Sequence, residues 1–209
     1  MKGLLLKDFY MMKKYCKSYL LIAAVFIAVT FFGNDNFFFV FYPCILCGMI
    51  PVNLIAYDEQ SRFNIYSGTL PYTKAQIVSG KYLIGFLVQT AMFIIMGVVQ
   101  AIKMNMNGSF RFANFAVLML TMFCASVATV AISLPFMFKF GVEKGRMVHL
   151  FTIGIICAAC FVLPTLIGNI DMSGEIAFNG FLLGFCAICV CLYALSWYLS
   201  IIFYKKREV

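Results

Sequence analysis

Tyr57-Asp58-Glu59-Gln60-Ser61-Arg62-Phe63-Asn64-Ile65-Tyr66-Ser67-Gly68-Thr69-Leu70-Pro71-Tyr72-Thr73-Lys74-Ala75-Gln76-Ile77-Val78-Ser79-Gly80-Lys81-Tyr82 is the longest polar interruption in an otherwise apolar chain. Packed helices are usually joined by a handful of residues, so a turn alone does not require this length. The stretch also has internal order. Phe63 and Tyr66 stand three apart, on one face of a helix. Gly68 and Pro71 stop a helix. Thr73-Lys74-Ala75-Gln76 has the capping-box pattern, in which the Thr side chain accepts from the Gln amide and the Gln side chain reaches back to the cap. The segment predicts a short helix along the membrane, a turn, and a fresh membrane-crossing helix. Such an element suits docking onto a cytoplasmic partner. A solvated loop with incidental capping is the plainer account.

Composition explains why the interruption matters. Of 209 residues, 64% are hydrophobic and 11% charged. A soluble domain is about a quarter charged, so this chain has too little charge to cover a soluble surface. It reads as one all-α, polytopic membrane domain over residues 1–209. The net charge of +8 does not point to nucleic acid, because the basic residues flank the apolar runs as topology signals do. The long basic lead-in, with no small-x-small site after it, predicts that the first span is kept rather than cleaved as a signal.

Six spans follow from the apolar runs. Residues 1–18 come first, with Leu5, Phe9, Met12 and Cys16 at helical spacing among Lys2, Lys7, Lys13, Lys14 and Lys17. They predict a basic amphipathic helix lying in the headgroup layer. Span one, about 19–32, is short for the bilayer and is expected to draw on the preceding turn. Span two, about 37–57, carries Pro43 and Pro51, and Pro51 should kink it. Spans three to six run about 82–102, 112–138, 148–167 and 176–204. The stripe Cys124, Ala125, Ala128, Ala131 and Ile132 and the pair Gly180 and Gly184 are candidate packing faces. Trp197, Tyr198 and Tyr204 read as an aromatic belt, and Lys139 to Arg146 as a short basic loop. With both termini cytoplasmic, 14 of the 16 Lys and Arg residues fall inside, leaving Lys103 and Arg111 outside.

Chemistry is sparse. No charge is expected in the core of a span, which argues against proton-coupled transport. His149 is the one histidine, and no nucleophile with a positioned base is evident, so no catalytic residue is assigned. Cys44/Cys47, Cys157/Cys160 and Cys186/Cys189 have C-x-x-C spacing, but zinc needs four ligands, and buried cysteine behaves as a small apolar residue. No metal is assigned. A phosphate-binding loop is absent, so any ATP and Mg must be held by another polypeptide.

The opening Met1-Lys2-Gly3-Leu4-Leu5-Leu6-Lys7-Asp8, then two spans, then Asp58-Glu59 and Leu70-Pro71-Tyr72-Thr73-Lys74-x-x-Ile77-Val78-x-x-Lys81-Tyr82, resemble the small permease subunits of type-2 ABC exporters. The likeness is to those of bacterial peptide-toxin and bacteriocin export or immunity systems, such as the phenol-soluble modulin exporter. It covers the whole chain in topology and is most specific in residues 1–10 and 57–82. It implies two permease copies, alike or related, in the bacterial cytoplasmic membrane with two cytoplasmic ATPases. Residues 1–18 would be the elbow helix. Residues 58–70 would be the coupling helix, meeting the ATPase through Asp58, Glu59, Arg62, Phe63 and Tyr66. ATP-driven motion would open the cavity outward by alternating access. Asn53 and Gln89, with Gln100, are candidate polar points in a Phe- and Met-lined cavity for amphipathic or hydrophobic cargo such as peptides. A non-transporting binding or immunity protein that sequesters a peptide is the alternative, and a channel ranks third for want of charged pore rings.

Overall fold

Without water to satisfy backbone N–H and C=O groups, an apolar run crosses a bilayer as a helix, and every regular element described here is one. The structure, a computed structural model, describes residues 2–32, 37–63, 72–108, 112–167 and 175–206. Their side chains are described except at 2, 32, 37–38 and 112–114 and, between 156 and 186, at all but 158 and 184. Outside this set lie residues 33–36, 109–111 and 168–174, where turns are expected, the short helix expected through Tyr66 to the Gly68 and Pro71 stop, and Arg207. The side chains of Cys157, Cys160 and Cys186 are outside it too.

The described elements are α1 Lys2–Tyr15, α2 Lys17–Phe32, α3 Phe37–Gln60, α4 Lys74–Met106, α5 Phe112–Phe140, α6 Val142–Ile167 and α7 Glu175–Lys206. Phe39–Gln60, Lys74–Met106, Phe115–Phe140 and Ala187–Lys206 are each long and apolar enough to cross a membrane, and α1 with α2 makes a fifth if that bent pair is one span. Helix α3 is the most enclosed of the four, with 83% of its apolar window buried against 22% for α7. It packs on α1, α2, α4, α5 and α6, while α5 packs on α3, α4, α6 and α7. These two helices form the centre of the bundle, and α7 closes it from the α4–α5 side.

Several sequence expectations change. Span one takes in Lys17 and Ser18 of the preceding turn, but no further: the chain bends by 65° between α1 and α2, around a fully buried Cys16. The buried face of α1 runs through Leu4 and Asp8 toward Cys16, with Leu5 and Met12 packed half-buried against the core, while Phe9 points outward. Helix α3 continues through Pro43 and Pro51 without a break. Gly85 of α4 sits against Pro51, where a Cβ would lie 3.2 Å from the ring's Cγ.

Lys139 to Arg146 is not a loop. Gly141, at φ 84°, is the one residue between α5 and α6, a left-handed stop that glycine adopts without strain. Its N–H donates to the Met137 carbonyl, and the helices then run so close that a Cβ on Gly145 would collide with Met137. Helix α4 begins at the capping box expected for it: the Gln76 N–H donates to Thr73 Oγ1 at 3.3 Å, and the Thr73 N–H donates to Gln76 Oε1 at 3.2 Å. That start brings Lys81, read as a loop cation, inside the helix, and the far end takes in Lys103. Of the expected packing stripe on α5, Cys124 and Ala131 are buried and Ala125 and Ala128 half-buried, whereas Ile132 faces outward; Ser126, Thr129 and Ser133 are buried on the same helix. Tyr204 turns inward onto Phe138, which leaves Trp197 and Tyr198 as the exposed aromatics near the end of α7. Among the described residues Gly184 meets nothing within 4 Å.

Candidate functional site

At one end of the bundle, called its foot here, α1, the end of α3, the start of α4, the α5–α6 turn and the end of α7 converge. Four charges are buried or half-buried there. Lys81 Nζ lies 2.7 Å from Asp8 Oδ1 and 2.5 Å from Asp58 Oδ2. Lys7 Nζ lies 2.7 Å from Asp58 Oδ1 and 3.4 Å from Asp8 Oδ1. The Asp8 side chain has no exposed surface, and that of Lys81 is 3% exposed. Two ammonium groups thus face two carboxylates contributed by three helices, and the set is neutral. Neutrality is what makes such burial tolerable, since an unpaired buried charge costs several kcal/mol, on the order of 3–5 when one partner is removed.

The neighbouring residues extend this junction. Glu59 Oε2 accepts the N–H of Val142 at 3.1 Å, capping the start of α6, where a carboxylate also suits the helix dipole. Tyr57 stacks on Tyr15, with ring centroids 4.5 Å apart. A cavity of about 20 Å³, large enough for one water, opens between Asp58, Glu59, Lys81, Phe138 and Tyr204. Arg62 is exposed and takes φ 52°, a left-handed conformation that costs a non-glycine residue about 1–2 kcal/mol. It stands two residues past the end of α3 at Gln60. Phe63 follows, half-buried, with the Lys7 ammonium 3.4 Å from its ring centroid. Tyr66 lies outside the described residues.

The five residues singled out for docking therefore divide. Asp58 is turned inward and spent on Lys7 and Lys81; Glu59 is tied to α6; Phe63 lies under α1; Arg62 is exposed. Asn53 and Gln89 are both buried and apart from this group. Asn53 Nδ2 donates to the Met49 carbonyl of its own helix, and Gln89 Nε2 donates to the Ser126 carbonyl of α5.

Lys7, Asp8 and Lys81 were missed as site residues. Their pairing joins positions 51 and 73 apart in sequence, which no local pattern reports. One signal was available: Asp8 stands four residues from Leu4 and eight from Cys16, an acid on the buried stripe of a basic helix. His149, read as isolated, is fully buried beside Ser133, with Nδ1 2.6 Å from Oγ. The Ser133 proton goes to the Thr129 carbonyl, so the imidazole donates from Nδ1 and Nε2 is left a buried acceptor.

A multi-pass helical bundle whose first helix is ion-paired to the feet of two others defines a membrane-embedded subunit with one reinforced end. The chain belongs to the ABC-2 family transporter protein family, whose sequence model matches residues 3–205. It is thereby a transmembrane component of an ABC transporter, a class that works with ABC ATPase partners. No curated protein and no solved structure matches it.

Proposed function

We propose that the chain is the permease subunit of an ATP-driven exporter for amphipathic or hydrophobic peptides. Two permeases, identical or related, form the translocation unit, and two cytoplasmic ATPases supply ATP and Mg binding. Helices α2 to α7 make six crossings with both termini in the cytoplasm. Helix α1 is the elbow helix, and residues 58–70 are the coupling region. The observation that carries the reading is Asp58. It sits where α3 gives way to that region and is ion-paired to both α1 and α4. Glu59, beside it, holds the start of α6. A displacement of residues 58–70 by an ATPase would pass to four helices through these two carboxylates. Arg62 and Phe63, with Tyr66, are the residues assigned to meet the ATPase.

The test is co-reconstitution with the cognate ATPase in proteoliposomes, following ATP-dependent movement of a labelled amphipathic peptide. Arg62→Glu combined with Phe63→Ala is expected to cut movement by ten-fold or more while leaving membrane insertion intact. Wild-type transport in that variant would remove the coupling assignment. Saturable peptide retention that needs neither nucleotide nor ATPase would favour the sequestering protein instead.

A further inference from the structure

The cations of α1 are sorted by the direction they face. Lys7 faces the bundle and is neutralised by Asp58 and Asp8. Lys13 and Lys14, in the last turn of α1, and Lys17, at the start of α2, are exposed and form no ion pair among the described residues. Lys14 lies 5.3 Å from the Tyr15 ring centroid, a contact that leaves its N–H donors free. On the same outward side, one to three turns earlier, stand Leu6, Phe9 and Tyr10, all more than half exposed. From Leu6 to Lys14 is roughly 12 Å along α1 at 1.5 Å per residue, and Lys17 follows across the bend. Over that stretch an apolar patch gives way to three cations that pair with no acid among the described residues. The 65° bend sets α1 closer to the bilayer plane than to its normal when α2 crosses with ordinary tilt.

We propose that this outward face is a binding site for anionic phospholipid. Leu6, Phe9 and Tyr10 enter the boundary between headgroups and acyl chains, and Lys13, Lys14 and Lys17 hold the phosphate-bearing headgroups. Charge and apolarity together select the ligand: the lysines need a net anion, and the three exposed apolar side chains need hydrocarbon beside it. Free phosphate answers only the first need. The site is also linked to the foot of the bundle, because Lys14 sits over Tyr15, which stacks on Tyr57, the neighbour of Asp58. This inference rests on membrane embedding and goes beyond the exporter reading.

The experiment uses the full chain reconstituted without any ATPase in phosphatidylcholine vesicles. Electron spin resonance of spin-labelled phosphatidylglycerol and spin-labelled phosphatidylcholine gives their relative association with the protein. The wild type is expected to prefer phosphatidylglycerol by roughly ten-fold or more, as suits several lysines near a charged surface. Lys13→Gln, Lys14→Gln and Lys17→Gln together should abolish the preference, and the same three positions changed to Arg should keep it. An equal affinity for both lipids in the wild type, or a preference that survives the Gln variant, overturns the site. Displacement of the labelled lipid by inorganic phosphate alone at matched concentration would show a phosphate site and overturn the lipid assignment. Because no ATPase is present, each of these outcomes leaves the transporter assignment untouched.

Discussion

At the foot of the bundle, Lys81 reaches Asp8 across 73 residues of chain, whereas the hydroxyls midway along α5 reach only three or four residues back. Ser126 donates to the Phe123 carbonyl, Thr129 to Ser126, and Ser133 to Thr129. A hydroxyl that gives its proton to its own helix needs no neighbour to be satisfied in hydrocarbon. Such residues make α5 slightly polar along one stripe, and of the three Ser133 also serves another helix, accepting from His149 of α6. The charges at the foot behave otherwise. Neither Asp8 nor Lys81 is tolerable there without the other, so they specify the position of α1 against α3 and α4. Between these extremes stand Gln89 and Ser196, which donate to α5 carbonyls from α4 and α7 and so cross a helix boundary without charge.

Removing a charge at the foot is the severest way to test that contrast. Lys81→Met leaves Asp8 without its closest cation and is expected to cost about 3–5 kcal/mol of stability. The measurement is equilibrium unfolding in mixed detergent micelles. Adding Asp8→Leu to Lys81→Met should recover much of the loss, because the unpaired charge leaves with its partner. A double variant as unstable as the single would show that packing, and not pairing, places α1. A milder effect is expected midway along α5. Ser133→Ala strips His149 Nδ1 of its acceptor, and about 1 kcal/mol should be lost in the same assay. Thr121→Ala removes an exposed hydroxyl that bonds only to Val117 and Leu118 of its own helix. It should change stability by less than about 0.5 kcal/mol. Equal losses at Ser133 and Thr121 would erase the distinction between a hydroxyl that serves a neighbour and one that serves itself.

Local features of the fold were legible in the sequence because local chemistry sets them. The Thr73 and Gln76 capping box starts α4 where it was read. The boundaries of α5 and α7 fall within two residues of the apolar runs that predicted them. Gly141 was misjudged because a run of charges looks like a loop, although a single left-handed glycine can turn the chain. Along α1 and just past its end, Leu5, Met12 and Cys16 turn toward the bundle as their spacing suggests, but Phe9 does not, since an outward Phe9 matches helical spacing as well as an inward Asp8 does. Only a partner such as Lys81 breaks the tie, and that partner is far away in sequence. The foot's ion cluster was illegible for the same reason: its members belong to three segments, each of which reads as ordinary when taken alone.

The 73-residue separation of Asp8 and Lys81 has a consequence for biogenesis. A chain made from its N-terminus at 5–20 residues per second exposes Asp8 roughly 4–15 s before Lys81 exists. Through that interval α1 has its acid and no ammonium from α4 to neutralise it, so the foot cannot nucleate the assembly of the bundle. It closes late, after α2 and α3 are made and α4 has begun. The junction that ties the first helix to the rest therefore cannot form before α4 begins, and until then α1 must wait for it elsewhere.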